Sequence, residues 1–107
     1  MSFGPYIFID PDEQSVEWIN FNQLDVDELC DLLRCDATDA VELSAGWTGY
    51  VDGEGAWQGR QTEWALNGES FWGPMLIFRG SDEFGSPAPC EAEDLAKVTD
   101  GVHFWDT

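Results

Sequence analysis

Carboxylates are the chemically loaded side chains that this chain holds in quantity. Asp10, Asp12 and Glu13 crowd a proline-containing turn, Asp25, Asp27, Glu28 and Asp31 fall within one helical stretch, and Asp36 and Asp39 follow directly. Such groups hold hard cations, exchange protons as acid and base, or present a row of negative charge to a cationic partner. The first two uses need a convergence that this spacing does not supply. Asp52-Gly53-Glu54 lacks the ligand spacing and closing Glu of a calcium loop and reads as a polar hairpin turn. Asp25-Val26-Asp27 has the look of an aspartyl-phosphate motif, yet it opens a helix instead of following a buried strand, so capping explains it.

Other chemistry is thinner still. His103 is the single histidine, set in a terminal Val-His-Phe-Trp run that suits packing or exposure. No Ser/His/Asp or Cys/His arrangement with a nucleophile turn is present. Gly53 and Gly55 make no phosphate cradle, because neither Lys nor Ser/Thr follows and the adjacent carboxylates repel phosphate. The expectation is a non-enzymatic protein with no catalytic residue, no metal ligand and no cofactor.

Twenty-two Asp and Glu face four Lys and Arg, a formal net charge of −18 on 107 residues. The imbalance is uneven: residues 1–54 hold thirteen acids against Arg34, and residues 55–107 hold nine against Arg60, Arg79 and Lys97. Seven Phe, six Trp and two Tyr offer stacking surfaces, but nucleic-acid binding also needs a basic groove, and four scattered cations make none. Direct contact with nucleic acid or with an anionic membrane is therefore excluded, and basic proteins are favoured. Most of Phe8, Trp18, Trp47, Trp64, Trp72, Phe78 and Trp105 are assigned to the core. Trp57 and Trp72 flank glycine turns and are candidate exposed contacts.

Magnitude limits the idea of phosphate imitation. Duplex DNA carries one charge per ~1.7 Å of axis, or about one per 100 Å² of its cylinder, whereas eighteen charges over a folded surface of roughly 6,000 Å² give about one per 330 Å². Imitation thus requires the acids to gather on about a third of the surface. An evenly solvated anionic surface, serving solubility or adaptation to high salt, is the competing reading.

The elements that must position these groups are short. Tyr6–Asp10 and Ser15–Phe21 read as a hairpin about Asp10-Pro11-Asp12-Glu13. Asp25 caps a helix with an apolar stripe of Val26, Leu29, Leu32 and Leu33 that ends near Cys35. Strands are expected at Ala40–Leu43, Trp47–Val51, Glu63–Leu66 and Met75–Arg79, separated by Asp52-Gly53-Glu54-Gly55, Asn67-Gly68 and Gly73-Pro74 turns. Residues 81–87 read as a loop, Glu91–Val98 as a short second helix and Val102–Trp105 as a final edge strand.

The fold class is α+β: a small antiparallel sheet of about five to seven short strands with one main helix and a short second helix, all in one acidic domain spanning 1–107. Cys30, Cys35 and Cys90 are odd in number and lack CxxC spacing, so reduced thiols packed in the core are expected. Five residues along a helix set Cys30 and Cys35 about 140° apart, which disfavours a disulfide between them. No membrane span or signal peptide is evident, and a cytoplasmic location is expected.

Leu29/Leu32/Leu33, Val41-Glu42-Leu43, Tyr50-Val51-Asp52-Gly53-Glu54-Gly55, Gln58-Gly59, Asn67-Gly68, Gly73-Pro74-Met75-Leu76-Ile77-Phe78 and Asp82-Glu83-Phe84-Gly85 form an ordered series. In that series the chain resembles, from about Asp25 to Leu95, a family of small domains of unknown function encoded by phages and plasmids. The Leu-Pro usual in that family is absent near Arg60-Gln61. The resemblance implies a mobile-element origin, where small acidic proteins inhibit host defences.

The expected activity is inhibition of a host defence nuclease or effector complex, of the anti-CRISPR or anti-restriction kind, by nucleic-acid mimicry in the host cytoplasm. Its contact residues would be Asp10, Asp12, Glu13, Asp25, Asp27, Glu28, Asp31, Asp36, Asp39, Trp57 and Trp72, and its partner a basic nucleic-acid-binding protein. The alternative is an acidic regulatory module that binds a partner through exposed aromatics. Neither oligomeric state nor target is specified.

Overall fold

The computed structural model describes residues 3–21, 26–33, 38–43, 46–52, 62–80 and 89–104. Two apolar runs decide the architecture. Tyr6-Ile7-Phe8-Ile9 and Met75-Leu76-Ile77-Phe78 are buried along their whole length, so both faces of each strand must be covered. They lie side by side as the middle of a five-stranded antiparallel sheet. Its members are β1 (Phe3–Asp10), β2 (Ser15–Phe21), β3 (Thr38–Glu42), β4 (Thr48–Asp52) and β7 (Met75–Phe78), in the order β2-β1-β7-β4-β3. A second sheet of three strands, β5 (Glu63–Leu66), β6 (Glu69–Trp72) and β8 (Val102–Phe104), has the order β6-β5-β8. The helices are α1 (Val26–Leu33) and α2 (Ala92–Gly101).

The fold is thus α+β, with the strands divided between two sheets. Side chains alternate across each strand, so the larger sheet presents two apolar faces. One face carries Tyr6, Phe8, Leu76 and Phe78, against which α1 lays Leu29 and Leu33. The other carries Ile7, Ile9, Val51, Met75 and Ile77, which meet Trp64, Leu66 and Phe71 of the small sheet, Val98 of α2 and Cys90. Helix, large sheet and small sheet therefore stack in three layers, with a core on each side of the middle one.

Local chemistry explains most boundaries. Asn67 and Gly68 both adopt positive φ (51° and 86°), the backbone of the two-residue hairpin turn that joins β5 to β6. Gly49 of β4 faces Met75, and a Cβ there would lie 2.7 Å from the Met75 sulfur. The indole of Trp64, fully buried, donates from Nε1 to the Gly73 carbonyl at 2.7 Å and stacks near Phe71 and Phe104.

β1 to β5, β7, β8 and both helices fall where the sequence reading puts them, within a few residues. β6 is the addition, since Glu69–Trp72 carries no strand pattern of its own. The Asp52-Gly53-Glu54-Gly55 turn beyond Asp52, the loop at 81–87, the Asp25 cap and Cys35 lie outside the described residues. Neither Cys30 nor Cys90 is in a disulfide; Cys90 is buried, whereas Cys30 is half-exposed and so only partly the core residue expected. Among the described residues no helix is long and apolar enough to cross a membrane.

Candidate functional site

Strand direction determines which acids become neighbours. β1 and β4 both run toward the same end of the large sheet, and β7 starts there. Ile9 pairs with Met75, Asp10 with Ser15, Tyr50 with Leu76 and Thr38 with Asp52. Extending those registers puts Asp10 and Asp52 on either side of Pro74. The Asp12 and Glu13 turn lies beyond Asp10, and Asp39 sits one residue inside the same rim on β3. One rim of the sheet thus collects Asp10, Asp12, Glu13, Asp39 and Asp52 from segments far apart in the chain.

Hydrogen bonds fix several of these groups. The Asp10 carboxylate accepts from the Asp12 backbone N–H at 3.1 Å, Asp12 accepts from the Thr62 hydroxyl at 2.5 Å, and Asp39 accepts from the Ala40 N–H at 3.0 Å. These local contacts hold the turn acids at defined positions while leaving Asp12, Glu13 and Asp39 exposed. Asp52 is different: it is only 6% exposed.

Beside the rim lies a cleft of about 260 Å³ between the β3–β4 edge of the large sheet and β6 of the small one. Val41, Val51 and Phe71 give it an apolar floor, and Asp39, Asp52, Ser70 and Trp72 complete its lining. Two sequence candidates separated by 33 positions, Asp39 and Trp72, thereby meet at one cavity. Trp72 is half-buried.

The remaining candidates divide differently. Glu28 and Asp31 are exposed on α1, and Asp27 lies in its first turn. That helix packs on the opposite face of the large sheet from the cleft. Asp25, Asp36 and Trp57 lie outside the described residues. His103 is exposed on β8. Among the described residues no three His, Cys, Asp or Glu side chains converge as metal ligands.

A second polar cluster is structural. Asp94 of α2 is fully buried and accepts four hydrogen bonds: from Arg79 Nε at 2.7 Å, Arg79 Nη2 at 2.8 Å, the Glu91 backbone N–H at 2.7 Å and Trp47 Nε1 at 3.2 Å. The Arg79 hydrogen bond outweighs burial and holds the Asp94 carboxyl down at about 2, while Asp94 in turn holds the guanidinium above its ordinary range. Glu91 and Asp94 together form a reciprocal cap at the start of α2. One of the four basic side chains of the chain is thus spent on fold stability. Sequence reasoning passed over Asp94 and Ser70, and took Asp52 only as part of a polar turn. Only the Glu91–Asp94 spacing before an apolar helix signalled any of them.

No protein-family model, curated protein or solved structure matches this chain.

Proposed function

We propose that this protein is a non-enzymatic inhibitor of mobile-element origin, an acidic decoy that enters the nucleic-acid channel of a basic defence nuclease or effector. The observation that supports this reading is the rim, where Asp10, Asp12, Glu13, Asp39 and Asp52 are gathered by strand order. Five strands spaced ~4.8 Å span about 19 Å, and the four carboxylates open to solvent there, Asp10, Asp12, Glu13 and Asp39, give about one charge per 5 Å. One strand of nucleic acid carries a phosphate every ~3.4 Å, and the duplex one every ~1.7 Å. The row therefore approaches the linear density of a single strand without reaching it. The whole surface, 6,221 Å² for a net −18, stays well below that of the duplex.

The test is binding of immobilised protein to nucleic-acid-binding proteins of bacterial lysate under a salt gradient. Raising salt from 0.01 to 1 M shortens the screening length from ~30 to ~3 Å, so a decoy interaction elutes early and is displaced by single-stranded DNA. Reversing Asp12, Glu13 and Asp39 together to Lys abolishes it, and reversing Glu28 and Asp31 leaves most of it. Retention unaltered by salt and by the rim triple variant overturns the decoy reading. The same result, joined to loss on Trp72→Leu, favours an aromatic interaction module, the alternative that the half-exposed Trp72 supports.

A further inference from the structure

We propose that the free edge of β6 takes up an extended segment of the partner, with alternating basic and apolar residues, as a fourth strand of the small sheet. The partner is that of the decoy reading, on which this rests, and the edge determines which part of it is gripped. β6 is an outer strand, and hydrogen-bond alternation fixes what it offers. Leu66 and Glu69 flank the Asn67-Gly68 turn as a hydrogen-bonded pair, and Trp64 and Phe71 form the next. The Gly73 N–H, donating to the Thr62 carbonyl at 2.8 Å, continues the series. The intervening pairs, Ala65–Ser70 and Glu63–Trp72, share no such bonds, so the N–H and C=O of Ser70 and Trp72 point away from β5. Phe71 turns inward between them, and the cleft opens along this backbone edge.

Layer widths leave room for another strand. The large sheet has five strands and the small one three, an overhang of two spacings, or about 10 Å. On one side α2 packs against β2. On the other, beyond β6, Val41 and Val51 floor the cleft with Phe71. Its volume of about 260 Å³ is below that usual for drug-sized ligands and suits one or two apolar side chains lowered from a strand above. Opposite Ser70 and Trp72 the added residues turn outward, one of them beside the half-buried indole, where a cation is favoured. Charge excludes a second copy of this chain, since each carries −18, and draws in a basic segment past exposed Asp39 and Glu69. The neighbouring edge of β3 is blunted. The bond from the Leu43 N–H to the Trp47 carbonyl sets the Ala40 N–H on the outer side, where the Asp39 carboxylate accepts it at 3.0 Å.

The experiment is an amide NMR titration of the intact protein with the acetylated, amidated peptide Lys-Val-Lys-Val-Lys-Val-Lys. Its controls are the same peptide N-methylated at its two inner lysines, whose N–H groups face β6, and the block peptide Val-Val-Val-Lys-Lys-Lys-Lys. Saturable shifts at Ser70, Phe71, Trp72, Val41 and Val51 are expected, with the Ser70 and Trp72 amide hydrogens exchanging about tenfold slower at saturation. N-methylation weakens binding by about fivefold for each bond lost. Ser70→Pro does the same; it removes a donor that β5 does not use and leaves the circular dichroism unchanged. Equal binding of the N-methylated or block peptide, shifts at Ala40 and Glu42 in place of β6, or Ser70 and Trp72 shifts that grow with protein concentration alone each overturn the inference. The two readings fail separately. Peptide binding at β6 with no salt-sensitive basic partner removes the decoy and keeps the edge site. A salt-sensitive partner indifferent to Ser70→Pro keeps the decoy and removes the edge site.

Discussion

Replacing Asp94 by Ala should be among the costliest single changes in this domain. The carboxylate is fully buried and is the common acceptor for Trp47, Arg79 and the Glu91 backbone. Its removal strands the indole N–H of Trp47, 3% exposed, and opens the cap of α2. Arg79 keeps Glu91 and Glu93 at 3.8 and 3.7 Å and is partly open to water, so it re-solvates and loses less. Breaking a buried ion pair by deleting one partner costs about 3–5 kcal/mol. For a domain of this size that is a fall in Tm of roughly 15–30 °C. Asp94→Asn keeps the volume but sets amide hydrogens against existing donors, for about 2–4 kcal/mol. Trp47→Phe removes one of four bonds, for about 1–2 kcal/mol.

Urea unfolding of the three variants at pH 7, followed by circular dichroism, gives the ranking directly. Acid titration gives a second reading. Because the folded carboxyl lies at about 2, below its ordinary 3.8, its contribution is complete above pH 4 and is lost as pH falls through 2. That contribution is on the order of 2 kcal/mol, so the acid limb of the wild-type stability curve should be steeper than that of Asp94→Asn by this amount. An Asp94→Ala variant within 1 kcal/mol of wild type, with an unchanged acid limb, would refute the account of the cluster.

Further outcomes can be checked independently. Gly49→Ala drives a Cβ against the fully buried Met75 sulfur and should cost about 1–3 kcal/mol in denaturant unfolding, with partial recovery in a Gly49→Ala/Met75→Val double variant. Burial pushes the Cys90 thiol up to about 11, and Cys90 donates to the Ile77 carbonyl at 3.4 Å. At pH 8 iodoacetamide should therefore label half-exposed Cys30 well before Cys90, with Cys90 modified only in urea, as mapped by mass spectrometry. Tm should rise with KCl as the self-repulsion of eighteen net charges is screened; a Tm independent of KCl between low and molar salt would show the acids to be energetically isolated.

Local signals in the chain were easily read. The hairpin is announced by an apolar run that stops at Asp-Pro-Asp-Glu, and β5 by the apolar stretch Trp64-Ala65-Leu66 before Asn-Gly; both are found in place. β6 was not legible, because Glu69-Ser70-Phe71-Trp72 neither alternates nor runs apolar, and its strand state comes from pairing with β5 across that turn. Nor does sequence say which strands pair. The split into two sheets follows from β1 choosing β7, a partner 70 positions away. The rim and the cleft depend on that choice, so Asp39 and Trp72 were individually visible as candidates while their meeting was not. Asp94 read as one more helix acid because its partners, Trp47 and Arg79, lie 47 and 15 positions off.

The central place of β1 has a consequence for synthesis. In a growing chain β1 leaves the ribosome some 70 residues before β7, so Ile7 must wait for Ile77 across that interval. Until then the hairpin exposes Tyr6-Ile7-Phe8-Ile9 along a bare edge, a sticky template for other nascent chains. Fragments truncated before Met75 should aggregate rather than fold, and the intact molecule should mature on the slow side for its length.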